Sequence, residues 1–398
     1  MDNFLLKSNV LVSEQALDII RPLHSSIDWA DRLIGILGAR GTGKTTLLLQ
    51  QLKQEFGLSS RAIYISLDDI YFANNRFIDV ADYYITQGFD IFFLDEVHKY
   101  GDWAIEIKNL YDQHKKIKIV FTGSCITDIL RQNADLSRRA VQYEMPGLSY
   151  REYLEFAGIV KLPPISLNDI LRNHSVAALD IIKQFKPIKY FRDYLQYGYY
   201  PFFVENKKTY PIKLEQIVKL TIENDMRFIE GFDPKNTQKI FQLFYILATN
   251  VPFKPNISKL SDKTGIYRNT LVEYLHYLEK AKLINSLSAS GKSISTLQKP
   301  SKIYLENTNL HFTLSPERTD KGSMRESFFL NQLRNAGHRV SLPTQGDFFV
   351  DQKYTFEIGG KDKTSGQINN VKDSWVAADD IEVGALHKIP LWMFGMMY

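Results

Sequence analysis

The sequence predicts an α/β fold in which helices flank a parallel sheet, and three observations support this prediction. Short apolar runs that have the composition of buried strands begin at residues 32, 62, 91 and 117. Segments with helical periodicity lie between these runs, as in sheets built from strand–helix–strand units. Polar residues close the runs, with glycines after the first, two carboxylates after the third and Thr-Gly-Ser after the fourth. Because ligands of such sheets gather at the carboxyl ends of the strands, we expect the functional site there.

The first of these polar segments reads GARGTGKTT, from Gly38 to Thr46, and satisfies the pattern G-x-x-x-x-G-K-[ST]. Its glycines let successive backbone N–H groups turn inward as an anion-binding nest, next to the positive N-terminus of a helix. We expect Lys44 to reach the β- and γ-phosphates and the Thr45 hydroxyl to bind Mg²⁺. No NKxD-like guanine-reading motif is present, which favours ATP. The predicted nucleotide-binding residues are Gly38, Ala39, Arg40, Gly41, Thr42, Gly43, Lys44, Thr45 and Thr46.

The third apolar run ends in Asp95 and Glu96, which is typical of the second half of a nucleotide hydrolase site. We expect Asp95 to hold Mg²⁺ through water and Glu96 to orient or deprotonate the attacking water. The alternative is a buried strand that ends in two solvated acids. The fourth run places Ser124, or else Thr122, where a hydroxyl could bind the γ-phosphate or the water.

A pair of arginines, Arg138 and Arg139, precedes a short strand predicted at AVQYEM. An arginine supplied by a neighbouring subunit can neutralise charge that develops on the γ-phosphate, and Arg139 is our candidate for that role. A surface or salt-bridged arginine is the alternative interpretation. The predicted catalytic residues are therefore Lys44, Glu96, Ser124 and Arg139.

Several segments resemble the bacterial and archaeal AAA-type ATPases that carry a C-terminal domain of unknown function. They are GARGTGKTT, FFLDEVHK, FTGSC, LSRR with LSYREYL, YLQYGYYPFF (Tyr194–Phe203) and KPSKIYLENTNL (Lys299–Leu310). The resemblance covers nearly the whole chain and implies an ATP- and Mg²⁺-dependent ATPase. The family usually shows Gly-Arg where this chain has Arg138 and Arg139, so Arg139 is the matching position.

Length and composition predict several domains without a membrane span. The 398 residues suggest two to four domains at ~100–200 residues each. No stretch approaches the ~18 uncharged apolar residues of a membrane helix, and MDNFLLKSNV lacks the order of a signal peptide. One cysteine excludes an intrachain disulfide, so we expect a cytoplasmic protein. The predicted parts are a helical segment (1–30), the ATPase domain (31–160), a helical linker or lid (161–235), a winged helix-turn-helix domain (236–310) and a nuclease-like domain (311–398).

The predicted winged helix carries a concentrated positive charge. Residues 254–302 contain nine Lys or Arg and three acids, a net of +6, whereas the whole chain has +4. Two helices separated by a glycine turn are followed by β-like segments, as in a winged helix. The candidate DNA-contacting residues open the longer helix and are Tyr267, Arg268, Asn269 and Thr270. A module used only for packing or oligomerisation is the alternative.

The last 90 residues resemble a restriction-endonuclease-like fold, in which acids and a lysine surround Mg²⁺. The candidate residues are Glu326, Asp347, Glu357 and Lys361. Lys361 follows Glu357 by four positions instead of two, so a regular strand would separate them by roughly 13 Å. Unless a bulge at Gly359 and Gly360 shortens that distance, the metal site does not assemble, and we favour a noncatalytic version. We expect the apolar end, IPLWMFGMMY, to form a buried strand.

Together these features predict a Mg²⁺-dependent AAA-type ATPase that is coupled to DNA or a protein partner through the basic winged helix. Two alternatives stay open at this point. One is a slow, nucleotide-gated binding switch, and the other is a metal-dependent nuclease that ATP licenses. A homo-oligomer is the expected assembly if Arg139 acts on a neighbouring copy, and we expect no membrane partner.

Overall fold

The computed structural model describes residues 2–58, 61–124, 136, 138–228, 232–250, 252, 256–288, 300–315, 317 and 320–398. The chain divides into two compact units. The first unit contains Met1–Pro146 and Asn224–Phe232, and the second contains Gly147–Glu223 and Asp233–Tyr398. The chain therefore returns to the first unit for one short segment after it has built part of the second. The five-part division expected from the sequence stays a prediction.

The first unit is built on a five-stranded parallel sheet. Its strands are β1 (Leu33–Leu37), β2 (Ala62–Ser66), β3 (Ile91–Asp95), β4 (Lys118–Gly123) and β5 (Val141–Glu144). They lie in the order β2-β3-β4-β1-β5, and every neighbouring pair is parallel. This confirms the predicted parallel sheet. It also places β4 between the strand that precedes the glycine motif and the strand that carries the two acids.

Helices cover both faces of this sheet. They are α1 (Asp2–Glu14), α2 (Leu23–Ser26), α3 (Lys44–Glu55), α4 (Phe77–Thr86) and α5 (Trp103–Gln113), with 3₁₀ turns at Ile70–Ala73, Val97–Lys99 and Asp225–Phe228. Side chains alternate along a strand, so Phe92 and Phe93 enter separate core clusters. Both clusters are fully buried, which explains why the strands read as continuous apolar runs.

The second unit begins with helices. Their bounds are Tyr150–Phe156, Leu167–Ile182, Pro187–Tyr197, Tyr210–Glu223, Thr237–Ala248, Ile257–Thr264, Arg268–Lys280, Thr308–Leu314 and Lys321–Asn335, with 3₁₀ turns at Pro201–Val204 and Pro234–Asn236. The first helix starts with a capping box, in which Ser149 and Glu152 each bind the other's backbone N–H.

The region that the sequence predicts to be a winged helix has the expected order of elements. The helices Thr237–Ala248, Ile257–Thr264 and Arg268–Lys280 precede two antiparallel strands, β6 (Ile284–Leu287) and β7 (Lys302–Leu305). Gly265 ends the middle helix with φ +64°, a left-handed conformation that favours glycine. The winged-helix assignment itself stays a prediction, and Lys254, Lys292 and Lys299 lie outside the described residues.

A second five-stranded sheet closes the chain and confirms the predicted C-terminal α/β region. Its strands are β8 (Val340–Ser341), β9 (Phe348–Val350), β10 (Tyr354–Gly359), β11 (Ser374–Ala378) and β12 (Lys388–Pro390), in the order β12-β11-β10-β9-β8. Strand β9 is antiparallel to its neighbours β8 and β10, whereas β10, β11 and β12 are parallel to one another.

The apolar C-terminus is buried as predicted, but the predicted strand is wrong beyond Pro390. Leu391–Met396 forms a buried 3₁₀ helix. Pro390 has no N–H to donate to a ladder, so the strand ends there. In the part of the chain that the structure describes, no helix is both long and apolar enough to cross a membrane.

Candidate nucleotide site

The glycine motif connects β1 to α3 at the carboxyl end of the first sheet. Gly41 and Gly43 have φ +83° and +96°, which turns the backbone in a way that a side chain would resist. A Cβ at Gly38 would lie 2.6 Å from the Met145 carbonyl oxygen. The loop therefore requires its glycines for its path and its packing, and α3 begins directly after it at Lys44.

Lys44 is buried, and its ammonium lies inside the loop. The Nζ atom donates to the carbonyl oxygens of Gly38, at 2.9 Å, and of Ala39, at 3.0 Å. Arg21 supports the loop from another direction by donating to the carbonyls of Thr42, at 3.2 Å, and Pro146, at 2.6 Å. Sequence reasoning assigned no role to Arg21, because its partners are backbone oxygens that leave no motif.

Asp95, at the end of β3, meets the first residues of α3. Thr45 Oγ1 donates to Asp95 Oδ2 at 2.8 Å, and the Tyr64 hydroxyl donates to the same oxygen at 2.9 Å. The Thr122 hydroxyl donates to Oδ1. Burial raises the pKa of Tyr64, and the negative charge of Asp95 raises it further, so the phenol stays a donor. The two sequence motifs thus converge on one buried carboxylate.

Glu96 follows in a left-handed conformation, with φ +51°. Its backbone N–H donates to Thr122 Oγ1 at 3.1 Å, so Thr122 bridges the two acids. The side chain is partly exposed, and its Oε2 lies 3.4 Å from His98 Nε2. Non-glycine residues rarely adopt a positive φ, and such residues cluster at functional sites.

The chemistry of these side chains fits Mg²⁺. A hydroxyl and a carboxylate, both hard oxygen ligands, meet at Thr45 and Asp95. Mg²⁺ in nucleotide sites typically uses one or two protein oxygens, with substrate phosphates and water for the remainder. Among the described residues, no group of three or more His, Cys, Asp or Glu that could hold a metal occurs.

Ser124, at the end of β4, is buried and donates its backbone N–H to His98 Nδ1 at 3.3 Å. His98 lies in the short turn that follows Glu96, so β4 and the acidic turn are joined through an imidazole. Sequence reasoning did not single out His98. The available signal was its position two residues after Glu96, within the segment FFLDEVHK.

A second unexpected residue, Asp225, lies against the loop. Arg40 donates to its two carboxylate oxygens at 2.8 and 3.3 Å, and Lys99 Nζ lies 3.2 Å from Oδ1. Burial favours the neutral acid, but the nearby His98 imidazole and the hydrogen-bonded Arg40 guanidinium hold the pKa of Asp225 well below its usual range. Asp225 belongs to the segment that returns to the first unit, and it was not predicted because it is 185 positions from Arg40.

Arg139 forms an ion pair in this structure. Its Nε and Nη2 atoms donate to the two oxygens of Asp112 at 2.8 and 2.9 Å, and both side chains are partly exposed. The pairing agrees with the salt-bridged alternative, and it leaves the trans role of Arg139 a prediction.

The nuclease-like candidates lie around the C-terminal sheet. Phe348 on β9 pairs with Phe356 on β10, so Asp347, directly before β9, lies next to Glu357 on β10. The Asp347 N–H donates to the Phe356 carbonyl at 2.8 Å, and Asp347 Oδ2 accepts from the Ile358 N–H at 2.8 Å. The pKa of Asp347 is raised to about 6, chiefly by burial. The hydrogen bond from Ile358 lowers this pKa, and the charges of Glu326 and Glu357 raise it.

A different lysine from the expected one reaches Glu357. Lys363 forms the ion pair with Glu357 Oε1, while the backbone carbonyl of Lys361 accepts from Lys388. Gly359 ends β10 and allows Lys363 to fold back over it, since a Cβ at Gly359 would lie 2.5 Å from the lysine side chain. Glu326 is likewise bound by an ammonium, that of Lys302, at 2.8 Å.

The candidate DNA-contacting residues are accessible. Tyr267 is 85% exposed, Arg268 and Asn269 are exposed, and Thr270 is partly buried. The Arg268–Lys280 helix begins at this group. Accessibility is a necessary condition for contact with a partner, and the DNA role stays a prediction.

The parallel sheet, the phosphate loop after β1 and the acid pair after β3 define a P-loop nucleotide-binding domain of the AAA type. A family model described as an AAA domain matches residues 30–154, and one described as a domain of unknown function (DUF8612) matches residues 188–321. Residues 30–154 are therefore an AAA-type P-loop domain, and a region that matches a domain of unknown function follows it, which confirms the resemblance found in the sequence.

One curated relative is an uncharacterised protein of Methanocaldococcus jannaschii, 29% identical over 291 residues. The match covers 68% of this chain and 60% of that protein, less than two thirds of its length. Solved structures are similar at low scores. AMPPCP-bound DnaA from Aquifex aeolicus (16% identity, 65% of this chain and 85% of that chain) and a DNA replication initiation factor (14%, 69% and 89%) both have a TM-score of 0.25. PCH-2 from C. elegans (12%, 69% and 68%) has a TM-score of 0.24, and scores this low assign no function.

Proposed function

We propose that the first unit binds ATP with Mg²⁺ at Gly38–Thr46 and hydrolyses its γ-phosphate. The observation that carries the proposal is the 2.8 Å hydrogen bond from Thr45 to Asp95, which joins the phosphate loop to the acidic strand end. In bound ATP, Mg²⁺ supplies charge neutralisation at the phosphates. Lys44 would exchange its two carbonyl partners for phosphate oxygens, since charged hydrogen bonds to phosphate are stronger than those to a neutral carbonyl.

Glu96 is the residue we propose to orient or deprotonate the attacking water. Its backbone is held by Thr122 and its carboxylate remains partly exposed, so the group is anchored but accessible. We propose that Ser124, with Thr122 as the alternative, contacts the γ-phosphate or the water. Thr122 lies near the end of β4 and Ser124 directly follows that strand, which lies between β1 and β3.

Two substitutions test this function. Lys44→Ala is expected to abolish binding of a fluorescent ATP analogue, because the loop loses its only ammonium. Glu96→Gln is expected to bind the analogue normally and to lose turnover. The matched controls are Lys115→Ala and Glu14→Gln, which change exposed residues of the same unit. Full hydrolysis in either test variant would reject the proposed mechanism.

Arg139 is the residue we propose to act on ATP bound by a neighbouring copy. The Asp112 ion pair must open for that role, and its partial exposure makes opening inexpensive, because exposed pairs contribute only about 0–1 kcal/mol. Turnover per molecule should then rise with protein concentration, and Arg139→Ala should remove the rise without changing nucleotide affinity. Turnover that is independent of concentration would reject an in-trans role.

We propose DNA as the partner of the basic helical region, with a protein partner as the alternative. Exposed Tyr267, Arg268 and Asn269 support the proposal, together with the positive charge of residues 254–302. ATP turnover with and without duplex DNA distinguishes a coupled ATPase from a slow binding switch. Nucleotide-dependent sizing of the same samples reports assembly.

A metal-dependent nuclease is the second candidate function, and the adjacent positions of Asp347 and Glu357 favour it. The ion pairs of Lys363 and Lys302 oppose it, because ammonium groups already neutralise Glu357 and Glu326. We propose that this centre is a noncatalytic version of a nuclease site. ATP- and metal-dependent DNA cleavage that disappears in both Asp347→Ala and Glu357→Ala would overturn that choice.

A further inference from the structure

One buried carboxylate joins the two halves of the nucleotide site. Asp225 is 2% exposed and opens the short 3₁₀ turn Asp225–Phe228. Its oxygens face Arg40, from the phosphate loop, and Lys99 and His98, from the turn that follows Glu96. The chain enters this segment from Glu223 and leaves it to Asp233, both of which belong to the second unit. A single acid from a distant part of the sequence therefore contacts both motifs.

The contact with Arg40 has the geometry of a strong ion pair. Both carboxylate oxygens of Asp225 accept from the guanidinium, at 2.8 and 3.3 Å. Bidentate pairs of this kind are stronger and more specific in orientation than single hydrogen bonds. Arg40 stands in the loop that is proposed to cradle the phosphates, and its guanidinium is turned to Asp225. The carboxylate therefore competes with phosphate for this arginine.

His98 extends the arrangement to the acid proposed for catalysis. Because the Ser124 N–H donates to His98 Nδ1, the Nδ1 atom is the acceptor and the ring proton resides on Nε2. That Nε2 lies 3.4 Å from Glu96 Oε2 and 3.9 Å from Asp225 Oδ1. The Nε2 edge of the imidazole thus faces both carboxylates, with Glu96 the nearer of the two.

We infer that Asp225 is a positioning residue of the ATPase site, which restrains Arg40 and Lys99 and orients His98 toward Glu96. This inference rests on the proposed ATPase function and assigns regulation of that site to the turn Asp225–Phe228. Asp225 itself does not touch the nucleotide. It determines how many cations are available to the phosphates and where the carboxylate of Glu96 points.

The inference predicts opposite changes in affinity and turnover. In Asp225→Asn, Arg40 loses the carboxylate that holds it and becomes available to phosphate, so ATP should bind several-fold more tightly. Glu96 loses the imidazole orientation, so kcat should fall about 10-fold or more, the range seen when an orienting partner is removed. Asp225→Glu retains the charge, so its ATP affinity and its kcat should both lie closer to those of the wild type. A residue with a purely structural role would instead lower affinity and kcat together.

The matched control is Asp90→Asn. Asp90 forms an equivalent two-point pair with Arg61 in the same unit, and it lies just before the start of β3, at the end opposite Asp95. This variant should leave affinity and kcat unchanged. The double variant Asp225→Asn with Arg40→Gln should lose the affinity gain, because the released guanidinium is gone.

The outcomes separate this inference from the proposed function. Wild-type protein that neither binds nor hydrolyses ATP rejects the function itself. Active wild type with unchanged kcat in Asp225→Asn, or with affinity and kcat falling in parallel, rejects only the role of Asp225. If Asp225→Asn does not fold, His98→Asn removes the imidazole that lies between Asp225 and Glu96 while the Asp225–Arg40 pair stays. It should lower kcat without any gain in affinity, and an unaltered kcat would overturn the inference.

Discussion

The Thr45 hydroxyl donates a 2.8 Å hydrogen bond to Asp95, and these residues come from the start of α3 and the end of β3. β4 lies between β1 and β3, so the contact crosses one intervening strand. Tyr64 and Thr122 donate to the same carboxylate from strands on either side of it. Asp95 is thus held in one position before any ligand arrives.

The first prediction concerns this carboxylate. Asp95→Asn replaces one acceptor oxygen by a donor, so at least one of the three hydroxyl donors loses its acceptor. We expect the free energy of unfolding to fall by about 1–3 kcal/mol. Turnover at limiting Mg²⁺ should fall about 10- to 100-fold, as for outer ligands of metal sites. Chemical unfolding and a Mg²⁺ titration of turnover measure the two effects, and normal Mg²⁺ dependence would contradict the assignment.

The second prediction concerns the packing of the phosphate loop. Gly38→Ala places a Cβ 2.6 Å from the carbonyl oxygen of Met145, the residue that follows β5. Either the loop or this residue must therefore shift. We expect the free energy of unfolding to fall by about 1–3 kcal/mol, with a loss of nucleotide affinity. Gly101→Ala is the control, because a Cβ there meets nothing within 4 Å. Equal stability of the two variants would show that the loop tolerates the displacement.

The third prediction is a pH dependence in the C-terminal sheet. Burial raises the pKa of Asp347 from 3.8 to about 6. Nearby acids add to this increase, and the hydrogen bond from the Ile358 N–H opposes it. The folded state therefore binds the proton more tightly, and this contribution to stability is present at low pH and lost as pH rises from about 4 to 6. Two pKa units correspond to roughly 3 kcal/mol as an upper bound.

Asp347→Asn should remove that pH dependence, because the amide oxygen can still accept from Ile358 and carries no charge. The variant should be more stable than wild type at pH 8 and should lose its advantage near pH 4. Urea unfolding at several pH values measures this difference. Asp362→Asn, an exposed acid of the same region, should follow the wild-type curve. A constant difference across the range would mean that Asp347 titrates normally.

The fourth prediction concerns the proposed DNA contact. Arg268→Ala should weaken binding to duplex DNA and reduce the slope of log K against log salt by about one, as expected when one phosphate contact is lost. We do not expect Arg268→Ala to weaken DNA binding by unfolding the protein. The change removes a cation from the first turn of a helix, where positive charge is unfavourable. Arg172→Ala, at an exposed position in another helix, is the control, and an identical loss there would reject a local contact.

Much of the nucleotide site is predictable because its parts are local. Gly38, Gly43, Lys44 and Thr45 act within one turn, where glycine conformations and a helix N-terminus suffice to build the loop. Asp95 could be paired with the loop because apolar strands deliver polar residues to one edge of a parallel sheet. The sequence offers Thr122 as an alternative to Ser124, but its bridge between Asp95 and Glu96 depends on the strand order.

The C-terminal candidates show how a local rule can select the wrong neighbour. Spacing along a strand pointed to Lys361, whereas Lys363 reaches Glu357 because the chain turns back after Gly359. The periodicity of the sequence, which predicts strands and helices, does not predict a turn of that kind. Arg139 could be named as a candidate, but its partner Asp112 lies 27 positions away and follows no pattern.

The sequence by itself determined the parallel sheet, the phosphate loop and the acidic strand end, since each depends on periodicity or on residues close together in the chain. Only the tertiary structure decided that Asp225 pairs with Arg40 and approaches His98. The physical reason is that an ion pair constrains two side chains in space without requiring any relation between their positions in the sequence. The chain must first return to the first unit at Asn224–Phe232 before that carboxylate can meet the loop.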